Sequence, residues 1–167
     1  MGPEIYTVEK IGTGFLSVMA KPVSGEWIEE EFQAIAAFGI NQIVSLLELE
    51  EAREVGLENE AALAEENSMT FISFPIPDRA LPESVSRFVN LSMRLHEEIT
   101  DGINTVIHCR AGIGRTGILA AAVLLHSGYT PQQAFDLISR KRGVTVPDTD
   151  EQENWIKSNC HAFKLRT

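Results

Sequence analysis

The chain has 167 residues, 44% of them hydrophobic, and a formal net charge of −10 at pH 7. That length suits one domain over residues 1–167 with a single sizeable core, and the acidic balance argues against a nucleic-acid-binding surface, which is ordinarily basic. No apolar run reaches the roughly 18 residues that a membrane span needs, and two cysteines, Cys109 and Cys160, without a partner at zinc-ligand spacing among four histidines, fit neither a disulfide framework nor a metal centre.

The start, MGPEIYTVEK, has neither a basic region followed by an apolar stretch nor the pattern of a myristoylation signal. A cytoplasmic protein, monomeric and without stable membrane association, is therefore expected. Gly14–Ala20 is a first strand candidate, and Glu26–Phe38 reads as a helix with Ile28, Phe32, Ile35 and Ala36 on one face. Gln42–Leu47 is the next strand, short and rich in β-branched residues. Residues 48–67 hold eight acids and one arginine, a net of −7, and read as an acidic helical face kept in water. Thr70–Phe74 is a third strand. Pro82–Thr100 follows as a helix whose apolar stripe is Val85, Phe88, Val89, Met93 and Leu95 or His96.

Asn104–His108 is the last strand, and only helices follow it. Residues 116–127 are apolar nearly all round and stop at Gly128, as a central buried helix does. Thr130-Pro131-Gln132-Gln133 offers an N-cap, a proline at the first helical position and a capping-box glutamine for a helix ending at Gly143. Asp148 can cap a final helix, in which Cys160 shares a face with Ile156, Asn159 and Phe163 and so reads as a small core residue. Strands alternating with helices predict an α/β fold: a central, mostly parallel sheet flanked by helices.

The segment that carries chemistry is His108-Cys109-Arg110-Ala111-Gly112-Ile113-Gly114-Arg115-Thr116-Gly117, between a strand and a buried helix. A glycine-rich loop entering a helix N-terminus turns backbone N–H groups inward, and the helix dipole adds partial positive charge, so residues 110–115 form an anion cradle. The same field favours a thiolate at Cys109. Arg115 can fold back and grip two phosphate oxygens through its planar fork, and Thr116 can give its hydroxyl proton to the thiolate. Gly112–Gly117 also matches the dinucleotide pattern G-x-G-x-x-G. That reading needs a second strand after the helix with an acid about 20 residues on, and the stretch TPQQAFDLISRKRG is helical instead. A mere tight turn would leave the Cys109–Arg115 spacing unexplained.

HCRAGIGRTG resembles the signature of the protein tyrosine phosphatase superfamily, H-C-x5-R-[ST], including the glycines. The resemblance implies that Cys109 attacks phosphorus to form a thiophosphate, that Arg115 and the amides of Arg110, Ala111, Gly112, Ile113 and Gly114 hold the phosphoryl oxygens, and that Thr116 eases departure of the thiolate. His108 would support the cysteine from within the fold. Phe74-Pro75-Ile76-Pro77-Asp78 resembles the I-P-D segment of compact atypical dual-specificity phosphatases, whose aspartate protonates the leaving oxygen, a role that suits a loop carboxylic acid. The other reading of Asp78 is a residue of a proline-bounded turn.

Val146–Gln152 resembles the segment that positions water for the second hydrolysis in the same small phosphatases, which implies Gln152 in that role with Asp148 as an alternative; a plain N-cap and a surface glutamine are the competing reading. No segment resembles the tyrosine-bearing recognition loop of the large tyrosine phosphatases. The resemblance thus implies a shallow site acting on phosphorylated proteins or peptides, phosphotyrosine first and phosphoserine or phosphothreonine also, with neither metal nor organic cofactor. A phosphoinositide or small phospho-metabolite substrate, suggested by Arg110 but weakened by Ile113, and a phosphate-binding pseudoenzyme are the alternatives.

Overall fold

The computed structural model describes residues 2–163. Its strands are β1 (Tyr6–Ile11), β2 (Gly14–Met19), β3 (Gln42–Ser45), β4 (Thr70–Ser73) and β5 (Thr105–His108). They form one sheet in the order β1-β2-β5-β3-β4. β2, β5, β3 and β4 run parallel, and β1 pairs antiparallel with β2. The sequence alone does not mark β1, because Thr7, Glu9 and Lys10 dilute the apolar signal. It is an edge strand, partly exposed, so a continuous apolar run is not required of it.

The parallel strands need crossover connections, which the helices supply. These are α1 (Ile28–Phe38), α2 (Leu49–Glu54), α3 (Glu60–Glu66), α4 (Val85–Thr100), α5 (Gly114–Leu125), α6 (Pro131–Arg142) and α7 (Asp150–Asn159), closed by a 3₁₀ turn at Cys160–Phe163. Consecutive strand residues point to opposite faces. Accordingly Val44 and Ile107 join one apolar cluster with α4, α5, α6 and α7, whereas Ile43 and Val106 join a second with α1 and α3. Every residue of α5 is buried, as its all-round apolar composition predicts.

Two local expectations change. The α4 stripe consists of Phe88, Leu91, Ser92, Leu95 and Ile99, while Val85 and Met93 are exposed; the helix starts at Val85 with Ser84 as its cap, and packing against α5 turns that face inward. The α7 cap is Thr149, whose hydroxyl accepts from Gln152 N–H while the Gln152 side chain reaches back to Thr149 N–H. The reciprocal box satisfies two otherwise orphaned donors and so outcompetes a cap by Asp148. Among the described residues no helix is long and apolar enough to cross a membrane.

Candidate active site

β5 lies at the centre of the sheet, and the chain leaving its C-terminal end makes the loop 109–113 before entering α5. This is where ligands collect in parallel α/β sheets. The loop is pinned from both sides: Lys21 N–H donates to the Arg110 carbonyl at 3.1 Å, and Arg142 Nη2 donates to the Ala111 carbonyl at 2.9 Å. Gly112 adopts φ +74°, and a Cβ there would lie 2.4 Å from the Met19 carbonyl oxygen. Only glycine allows the loop to come this close to the end of β2.

Cys109, Arg110, Ala111, Gly114 and Arg115 line a cleft of about 310 Å³, together with Asp78, Arg79, Asp148 and Gln152. Cys109 is 3% exposed at its base. Segments separated by more than thirty residues of sequence thus converge: the loop after β5, the turn after β4 and the start of α7. Asp78 is more than half exposed, with its Oδ1 accepting from Arg115 Nη2 at 3.1 Å. The turn carrying it is tied to the α7 segment by Arg79, which reaches Asp148 at 3.0 Å, and by Gln152 Nε2, which donates to the Ala80 carbonyl at 3.5 Å. Gln152 is fully buried, not a surface residue. Thr116 Oγ1 is buried and makes no hydrogen bond among the described residues.

Arg115 is the most heavily engaged side chain. It is 2% exposed, and its Nη1 donates to Glu51 Oε1 at 2.7 Å and to the Ile76 carbonyl at 2.9 Å. Its Nη2 donates to Glu51 Oε2 at 2.9 Å as well as to Asp78. The two bonds to Glu51 make the bidentate, charge-assisted pairing in which a guanidinium is held in one plane. Burial works against the charged form of Arg115, but the Glu51 hydrogen bonds, with Cys109 and Asp78 nearby, outweigh it and raise the pKa above its usual value. For Glu51, burial pushes the carboxyl up, and the hydrogen bonds and charge of Arg115, helped by Glu48 N–H and Arg110, carry it below the usual range. Among the described residues the Arg115 Nε–H has no hydrogen-bond partner. The guanidinium is therefore fixed by Glu51 along its Nη1–Nη2 edge, while its Nε–Nη2 edge meets the partly exposed Asp78 carboxylate.

Glu51 is the main correction to the reading of residues 48–67 as a solvated acidic face. Of those acids, Glu51 and Glu60 are buried. Glu60 Oε2 lies 2.6 Å from His108 Nε2, and His108 Nδ1 lies 3.0 Å from the Cys109 carbonyl. Neither carboxylate differs in sequence from its exposed neighbours. The available signal lies at the other end of each contact, since a buried arginine and a buried histidine each require an acceptor.

A family model described as "Tc-R-P: Polymorphic toxin system, DSP-PTPase phosphatase" matches residues 17–129. Over 139 residues the chain is 26% identical to cyclin-dependent kinase inhibitor 3 of Rattus norvegicus, covering 82% of this chain and 63% of that protein. Kinase associated phosphatase with its catalytic-site cysteine replaced by serine matches with a TM-score of 0.83 at 22% identity, over 98% of this chain and 94% of that one. Tk-PTP in its active form matches with a TM-score of 0.78 at 25% identity, over 95% and 97%. The chain spans between 34% and 67% of the length of the first curated relatives it matches. With the family model covering most of the chain and the fold agreeing, this protein belongs to the DSP-PTPase phosphatases, the compact dual-specificity branch of the protein tyrosine phosphatase superfamily.

Proposed function

We propose that the chain hydrolyses phosphate monoesters on proteins, phosphotyrosine foremost, with phosphoserine and phosphothreonine also within reach of its open cleft. The observation that carries this reading is the meeting in one cleft of Cys109, Asp78 and the Nε–Nη2 edge of Arg115, which Asp78 occupies at Nη2. A phosphoryl group entering the cradle of residues 110–115 takes the Nε–Nη2 edge and displaces Asp78 from Nη2, while Glu51 keeps the opposite edge. Asp78 is thereby released toward the leaving oxygen. The Cys109 sulfur attacks phosphorus, the S–P bond forms as the ester O–P bond breaks, and protonated Asp78 gives its proton to the departing oxygen. Water then attacks the thiophosphate, loses a proton to the Asp78 carboxylate and expels the sulfur as thiolate with inorganic phosphate. Gln152 and Asp148, which line the cleft, orient that water, and the Thr116 hydroxyl donates a hydrogen bond to the returning thiolate. A relative at this level of fold similarity, kinase associated phosphatase, is described with a cysteine at its catalytic site, which supports the assignment of Cys109.

The test is phosphate release, without added metal, from a panel of phosphotyrosine, phosphoserine and phosphothreonine peptides and phosphoinositides, compared by kcat/KM. Phosphopeptides, with phosphotyrosine leading, are expected to win. Cys109→Ser should abolish turnover yet still bind inorganic phosphate, because the alcohol stays protonated in the same cradle. Cys160→Ser should turn over nearly as the unaltered protein does. Turnover lost in Cys160→Ser and kept in Cys109→Ser would overturn the nucleophile, and preferential hydrolysis of the lipids would overturn the substrate class.

A further inference from the structure

His108 ends β5, is completely buried, and is joined by one peptide bond to Cys109. Its ring meets an oxygen acceptor at each nitrogen: the Cys109 carbonyl at 3.0 Å from Nδ1 and Glu60 Oε2 at 2.6 Å from Nε2. A carbonyl has no proton to give, so Nδ1 must carry one. A neutral ring facing an ionised carboxylate would place its single proton on Nε2, and two lone pairs would then confront each other at Cys109. Both contacts are made together only if the pair holds one more proton. Glu60 is 3% exposed and opens α3, and its contact with His108 has the short spacing of a charge-assisted hydrogen bond.

We infer that Glu60 is a positioning residue for the Cys109 chemistry: its carboxylate holds His108 as a doubly donating imidazolium beside the reactive thiolate. The inference rests on Cys109 being the nucleophile. The ring then does two things. It fixes the Cys109 carbonyl through Nδ1–H, which orients the first peptide of the loop, and it keeps a positive charge one residue from the sulfur, which favours the anion. The other charged groups lining the cleft with Cys109 are Arg110, Arg115, Asp78, Arg79 and Asp148, with Glu51 paired to Arg115 and Arg110. Glu60 is the one charged group bonded to the His108 ring among the described residues. Glu60 is not among the residues lining the cleft, and its side chain's one hydrogen-bond partner among the described residues is His108, through which it acts.

The test is the pH dependence of Cys109 alkylation by iodoacetamide, a neutral reagent that does not compete for the anion cradle, with the modified residue identified by mass spectrometry. Glu60→Gln keeps the side chain's size, and its amide can donate to Nε2, so the fold and the Nδ1 contact survive while the charge is lost. The alkylation profile of E60Q should move up by about one pH unit, an approximately tenfold slower reaction on the acid side with the alkaline plateau unchanged. Glu60→Asp, which retains the carboxylate, should restore most of the profile. A profile unchanged in E60Q, with or without a loss of Tm, overturns the inference and leaves Cys109 as nucleophile. If unaltered Cys109 reacts no faster than Cys160 below pH 7, both this inference and the nucleophile assignment fall. Should E60Q not fold, ¹⁵N resonances of His108 in the unaltered protein decide it: a doubly protonated ring at pH 7 supports the inference, and a neutral tautomer overturns it.

Discussion

Replacing Glu51 by Gln removes one negative charge from beside the buried Arg115 guanidinium while preserving side-chain volume. In the unaltered protein both carboxylate oxygens accept from Arg115, at 2.7 and 2.9 Å, and the two residues are 9% and 2% exposed. Gln can accept one of those bonds, but its NH₂ would oppose the second guanidinium N–H. Breaking a buried ion pair from one side costs about 3–5 kcal/mol. Here the cost is smaller, about 2–4 kcal/mol, because Asp78 and the Ile76 carbonyl still accept from Arg115. For a chain of this length each kcal/mol moves Tm by roughly 2–4 °C, so E51Q should melt about 5–15 °C lower. A guanidinium no longer held in plane should also lower kcat/KM by about 10–100-fold on an aryl phosphate. Calorimetry and steady-state kinetics read the two effects, and Glu54→Gln, which alters an exposed carboxylate 3.7 Å from Arg110, is the control, expected within about 0.5 kcal/mol of the unaltered protein. The pH dependence gives a third reading. The folded-state pKa of Glu51 is lowered, so its stabilisation is complete above the unfolded-state value and is lost as pH falls through the folded one. That acid limb should be shallower in E51Q. A variant within 1 °C or so of the original Tm and within about twofold in kcat/KM would refute the idea that Glu51 holds the clamp.

Asp78→Asn should slow hydrolysis of phenyl and alkyl phosphates by roughly 10²–10⁴-fold, affect nitrophenyl phosphate far less, and flatten the alkaline fall in rate; a uniform loss across leaving groups would make Asp78 a turn residue. Gly112→Ala should cost about 1–3 kcal/mol and most of the activity, since its Cβ would press on the Met19 carbonyl at 2.4 Å, whereas Gly25→Ala, with φ +110° and nothing within 4 Å, should leave activity intact. His126, buried beside His96 and hydrogen-bonded to Ser92, has its pKa lowered to about 4 by burial and then by His96. The unfolded chain therefore takes up a proton that the native one refuses as pH falls from 6.5 toward 4, and urea titration should show stability dropping by roughly 2–3 kcal/mol over that window, a slope that His126→Gln should remove.

The amino-acid sequence by itself determined the alternation of strands and helices, because β3 and β5 are fully buried and rich in β-branched residues, and β4, though a partly exposed edge, still carries Phe71 and Ile72. The glycines of residues 112–117 were legible as places of close approach, and the structure sets Gly112 against the end of β2 and Gly114 and Gly117, in the first turn of α5, against Gln152 and Val146. α6 was legible to the residue: its cap, proline and terminal glycine act over one turn. β1 was not, because pairing with β2, rather than its own composition, makes it a strand. Nor were the partners of the loop. Glu51 and Glu60 stand in a run of eight acids with identical local chemistry. Which two leave water depends on where α2 and α3 come to rest against Arg115 and His108, 64 and 48 residues away in sequence. Burial of a charge is decided by what waits to pair with it, and that information lies in the packing of distant elements.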